Sequence, residues 1–135
     1  MVGTCINPLD HTMNRERHSN PLKLIVLQHE DARKLMHLGK NEKALIILET
    51  ILDRRKCQKS ACHLDIAITC IDLGNVHRSL GNHHEALDHL YCALEYLIKV
   101  FSCKNRLVCT VMSSIKSLES ASSATHYSIY GAPAA

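Results

Sequence analysis

The chain has 135 residues, enough for one small domain; it has no tryptophan and one phenylalanine, so any core is built from Leu, Ile, Val, Ala and Cys. A formal net charge of +3 is too small to argue for nucleic acid, and no basic cluster with interleaved aromatics supports that partner. No apolar run reaches the length of a membrane span, and Met1 to Asn20 lacks the apolar centre of a secretory signal.

Residues 1–19 are polar, mixed in charge and aperiodic, and read as a disordered leader. Asn20-Pro21 is a helix start, with Asn as cap and Pro at the first helical position. The first helix is expected over Leu22 to Leu38, with Leu24, Leu27, Asp31, Leu35 and Leu38 marking one side. Gly39-Lys40-Asn41 is a turn. A second helix follows from Glu42 to about Lys56, closing on Arg54, Arg55 and Lys56, cations that suit the negative end of the helix dipole. Cys57 to Cys62 is a linker.

The third helix starts near His63, with Asp65 in its first turn and Cys70, Leu73, Gly74, His77 and Leu80 gathered on one face. A Gly81-Asn82 turn leads into Asn82-His83-His84-Glu85, which has the spacing of a capping box. The fourth helix then carries Ala86, Leu87, Leu90, Ala93, Leu94 and Leu97 on one side, to about Val100 or Phe101. Small residues stand where the two helices would cross, Gly74 on one and Ala86 and Ala93 on the other. After a linker at Ser102 to Asn105, Leu107 to about Ser120 holds Val108, Val111, Met112, Ile115 and Leu118 at helical spacing. Ser122 to Ala135 lacks any apolar period.

The unit occurs twice. Gly39 and Gly81 stand 42 residues apart, and at that offset Leu38, Ala44, Leu45, Leu48 and Leu52 align with Leu80, Ala86, Leu87, Leu90 and Leu94. The pattern of Leu73-Gly74, Gly81, Ala86, Leu90 and Ala93-Leu94 resembles the tetratricopeptide repeat, a family of antiparallel helix pairs that stack into a superhelix. The usual unit of that family is about 34 residues. The longer spacing, with His63 to Ala67 reading HLDIA, resembles the variety found in kinesin light chains and nephrocystin-3-like proteins. The chain departs from the pattern at His77 (usually tyrosine), at Leu64 (usually proline) and at Ile71 and Asp72 (usually asparagines). The resemblance covers about residues 21–120. It implies an all-α fold, an α-solenoid of helix-turn-helix repeats with two units and a C-terminal capping helix. The expected divisions are a leader at 1–19, a repeat domain at 20–120 (units 21–57 and 63–101, and a partial unit 105–120) and a flexible tail at 121–135.

Ten histidines and seven cysteines invite a metal reading, but neither Cys57-x4-Cys62-His63 nor His89-x2-Cys92 completes a four-ligand zinc set. The odd number of cysteines suits reduced thiols packed as small apolar groups, and the cytoplasm is the expected location. Cys70 with His77 is formally a nucleophile pair, yet both fall on the packing face, where a thiol is inert. No phosphate loop, nucleophile elbow or HExxH motif is present, so no enzyme and no cofactor is expected. The resemblance points instead to a protein or peptide partner held in a groove lined by the first helix of each unit. Carried across, that groove takes His29, Arg33 and Met36 from the first helix, Ile71, Asp72, Asn75 and Arg78 from the third, and Ser113 and Ser117 from the fifth. The expected function is a protein-interaction module or adaptor, kinesin-light-chain-like; the alternatives are a fragment of a longer repeat scaffold or a thiol- or metal-dependent regulatory protein. With two units and one extra helix, the expected state is a marginally stable monomer or an end-to-end homodimer that continues the stack.

Overall fold

The computed structural model describes residues 21–58 and 62–129, and among these it is built of helices and short connections. Five helices follow one another: α1 Pro21–His37, α2 Asn41–Cys57, α3 His63–Ser79, α4 His83–Ile98 and α5 Arg106–Ile129. Pro21 opens α1, where its missing N–H leaves no helical bond unmade. The cap expected from Asn20 lies outside the described residues.

The first two turns are built alike. Lys40 N donates to Leu35 O at 2.8 Å and Gly39 N to Met36 O at 3.0 Å; Asn82 N donates to His77 O at 2.8 Å and Gly81 N to Arg78 O at 3.1 Å. Each is a Schellman closure, which needs a left-handed residue just past the helix end. Gly39 and Gly81 supply it, at φ 75° and 82°. With so short a turn, each helix must fold back antiparallel on its predecessor, giving the pairs α1–α2 and α3–α4. At the same 42-residue offset the next turn position is Ser123. No glycine stands there to take positive φ, and α5 continues past Ser120 to Ile129. The helix end expected near Ser120 is thereby corrected.

α3 is the central element. It packs against α1, α2 and α4 and is buried on most of its circumference, from Ile66 to His77. One core lies between the first and second units: Ala32, Ala44, Leu48, Leu52, Ile66, Cys70, Leu73, Val76 and Ala93. A second joins α4 to α5 through Ala67, Ala86, Leu90, Leu97, Val108, Val111, Ile115 and Leu118. Each fully buried Leu or Val contributes about 1.5–3 kcal/mol relative to exposure. α5 thus packs Val108, Val111, Ile115 and Leu118 against one apolar side of α4.

Gly74 sets the closest approach. A methyl group built there would lie 2.8 Å from Leu90 Cγ and 3.3 Å from the Ala86 carbonyl oxygen. The absence of a side chain is what lets α3 and α4 meet at this crossing.

Some local expectations are corrected. On α1 the buried stripe is Ile25, His29 and Ala32, while Leu24, Leu27 and Leu38 are exposed. Ala32, the counterpart of Gly74 at the 42-residue offset, is fully buried. Met112 also faces outward. The capping box does not form: Asn82 makes no side-chain cap bond, and its Nδ2 lies 3.4 Å from His77 Nδ1 instead. α4 ends at Ile98, with Phe101 N bonded to Leu97 O at 2.8 Å in a closing turn.

Candidate functional site

Successive first helices lie side by side, and α1 touches α3 directly. Between them opens a recess of about 400 Å3 lined by Arg33, Met36, His37, Asp72, Asn75 and Arg78, with Asn41 and Ser79 at its edge. A second recess of about 420 Å3 lies toward α5, lined by Arg78, Arg106, Thr110, Ser113, Ser114 and Ser117, with Cys109. Arg78 borders both, so the two form one surface across three first helices. Its Nη2 reaches Asn75 Oδ1 at 3.4 Å, a long contact that leaves the exposed guanidinium free to turn.

The floor of the first recess is a buried polar chain. Asp72, 8% exposed, accepts at Oδ2 from His29 Nε2 at 2.6 Å and from Arg33 Nε at 3.1 Å. Arg55, also 8% exposed, donates from Nη1 to the Asp65 carbonyl at 2.9 Å and to Thr69 Oγ1, and lies 3.3 Å from His29 Nδ1. A guanidinium only donates, so His29 Nδ1 is the acceptor and Nε2 carries the proton given to Asp72. The chain links α2, α1 and α3. Burial by itself would raise the Asp72 pKa, but the His29 hydrogen bond and the charge and hydrogen bond of Arg33 outweigh it and hold the carboxyl below its usual value. Burial is the main cause that lowers Arg55 from its ordinary value. No buried side-chain nitrogen or oxygen among the described residues lacks a partner.

The structure therefore gathers Arg33, Met36, Asp72, Asn75 and Arg78 at one recess and Arg78, Ser113 and Ser117 at the other. His29 and Ile71 line neither recess. His29 is buried as the bridge between Arg55 and Asp72, and Ile71 is half-buried against both cores. Sequence reasoning missed Arg55 and Arg106. Arg55 was read as a dipole partner at a helix end, yet it follows Leu48 and Ile51 at i+7 and i+4, which places it on the buried face. That spacing was a usable signal. Arg106 lies just outside the expected helix and carried none.

Among the described residues, Cys70 and Cys92 are placed for packing, whereas Cys57, Cys62, Cys103 and Cys109 are exposed, which corrects the expectation of packed thiols for those four. Cys70 and Cys92 sulfurs lie 3.7 Å apart, and burial, with Cys92 beside it, pushes the Cys70 thiol up to about 12. At neutral pH it stays protonated and unreactive. His77 stacks on His89, ring centroids 5.2 Å apart; burial, then the His77 and Lys56 charges, hold His89 below its ordinary value. Cys57 and Cys62 are exposed free thiols, and among the described residues no group of three or more His, Cys, Asp or Glu side chains is arranged to hold a metal ion. No helix among the described residues is long and apolar enough to cross a membrane.

The family model of the tetratricopeptide repeat matches residues 32–99, from Ala32 on α1 to the end of α4. No curated protein and no solved structure matches the chain.

Proposed function

The chain belongs to the tetratricopeptide repeat family, and from that premise we propose that it is an adaptor of the kinesin-light-chain-like variety, holding an extended partner peptide across its first helices in the cytoplasm. Repeats of this family are generally non-catalytic scaffolds for protein partners. The observation that carries the groove reading is Arg78, which borders both recesses and so joins α1, α3 and α5 in one surface. Asn75 offers an amide to a peptide backbone, and the Arg78 and Arg106 guanidinia suit a carboxylate in fork geometry. In the second recess these two cations are accompanied by hydroxyl groups and by no acid. An acidic residue or a chain terminus is the peptide feature that this end would take.

The test is a random peptide library panned against the full chain. Enriched peptides are then titrated against wild type and the double variant Asn75→Ala, Arg78→Ala. Binding should weaken at least about tenfold, roughly 1.4 kcal/mol, with helicity by circular dichroism unchanged. The control variant Asp88→Ala, Glu95→Ala alters exposed residues of α4. Equal loss in the control, or no loss in the groove variant, would overturn the site.

A further inference from the structure

Among the described residues, the first helix of the third unit has no second helix of its own packed against it. The α3 residues Cys70, Leu73, Gly74 and His77 face α4, and 42 residues on they become Met112, Ile115, Lys116 and Glu119 of α5. With Tyr91 and Leu94 of α4, these four line an open, mostly apolar recess of about 530 Å3. Met112 is 50% exposed and Tyr91 48%. Tyr91 donates its hydroxyl to Glu119 across the rim. Lys116 stands where Gly74 allowed a close crossing, so an ordinary second helix of this family would not seat there. Whatever covers this face must accept a cation beside an apolar contact.

The other end of the same chain offers such a surface. On α1, Leu27 is 49% exposed, and the Asp31 and Lys34 side chains lie in solvent, held to each other by a 3.7 Å contact. Leu27, Asp31 and Lys34 recur at i, i+4 and i+7, which puts them on one side of the helix. Met112, Lys116 and Glu119 recur at the same intervals on α5. The parallel orientation is the one in which these matching intervals set both pairs of opposite charges against each other. Two parallel helices set side by side bring equal heights together. Leu27 then meets Met112, Asp31 meets Lys116, and Lys34 meets Glu119.

We propose that α1 of a second copy of this chain docks on the open face of α5, head to tail, in that register. Apolar contact supplies the attraction, and the two opposite-charge pairs fix the register. The reading uses the outer faces of the first and last helices and meets the peptide groove only at Ser113, which borders both recesses. A contact between two different faces does not close on itself, so copies add in series.

Sedimentation equilibrium of the full chain over a concentration series tests this. The average mass should climb with concentration and pass that of a dimer. Leu27→Asp and Met112→Asp should each remain monomeric with unchanged helicity, because both residues are exposed. An equal mixture of the two variants should form a one-to-one dimer and stop, since one retains the α5 face and the other the α1 face. Lys116→Asp should weaken association about tenfold, and adding Asp31→Lys to the same chain should restore it. A wild type monomeric at every concentration, association unmoved by Leu27→Asp and Met112→Asp, or a mixture without the one-to-one dimer would each overturn the proposal.

Discussion

The two faces of α3 are held by opposite means. Toward α4 the contact is dry and close, with Gly74 under Leu90 and the Ala86 carbonyl. Toward α1 and α2 a polar chain, Arg55 to His29 to Asp72 to Arg33, runs along the apolar core. Within a unit, the turn already fixes which helix meets which, so shape alone is enough to complete the pair. Between units the connection over residues 58–62 carries no such glycine turn. There, a buried carboxylate with specified donors penalises any other docking of the two units, because a slipped register would leave charges buried and unpaired.

Filling the dry crossing should have the largest effect. Gly74→Leu forces α3 and α4 apart and is expected to cost about 3 kcal/mol or more, read as a fall in thermal midpoint. Gly74→Ala should lie between that variant and wild type, since the helix propensity gained, about 1 kcal/mol, opposes the contact with Leu90. An unchanged midpoint in the leucine variant would show that shape is not what joins these two helices.

The polar contact should answer differently. Asp72→Ala leaves His29 and Arg33 without their acceptor and should cost about 2–3 kcal/mol at neutral pH. Folding lowers the Asp72 pKa, so the unfolded chain binds more protons just below its ordinary value of 3.8. The Asp72 contribution is therefore complete above about pH 4 and is lost as pH falls through the lower folded value. Denaturant unfolding of wild type and variant at several pH values should show the gap closing on the acid side. The gap between wild type and Gly74→Leu should stay constant over the same range, and a parallel pH dependence for both would erase the distinction between the two faces.

The smallest effect belongs to His89, half-buried beside His77. Its folded value lies below the ordinary 6.5, so folding is opposed once the unfolded chain begins to take up that proton. Stability present above about pH 6.5 should be lost gradually below it, and His89→Gln should flatten that slope by a few tenths of a kcal/mol, roughly what a solvent-screened charge is worth. Urea midpoints at pH 7.5 and 5.5 would check it.

The elements whose causes are local were legible in the residues. Gly39 and Gly81 announced two turns because positive φ is a property of one residue and needs no partner. The crossing at Gly74 was readable because small residues at helical spacing imply close backbones. The placement of Arg33, Met36, Asp72, Asn75 and Arg78 at one recess was readable, since the 42-residue period carries a face from one unit to the next. Periodicity stopped short at His29 and Ile71. It gives the side of a helix, and whether that side is surface or seam depends on what another helix sets against it. His29 is enclosed only because Arg55, 26 residues away, and Asp72, 43 away, converge on its two ring nitrogens. The sequence by itself determined the helices, the turns and the pairing within each unit, all properties of neighbours in the chain. The tertiary structure alone decided which polar side chains line the open recesses and which lock the units together, because that choice is made by distant groups brought within hydrogen-bond reach.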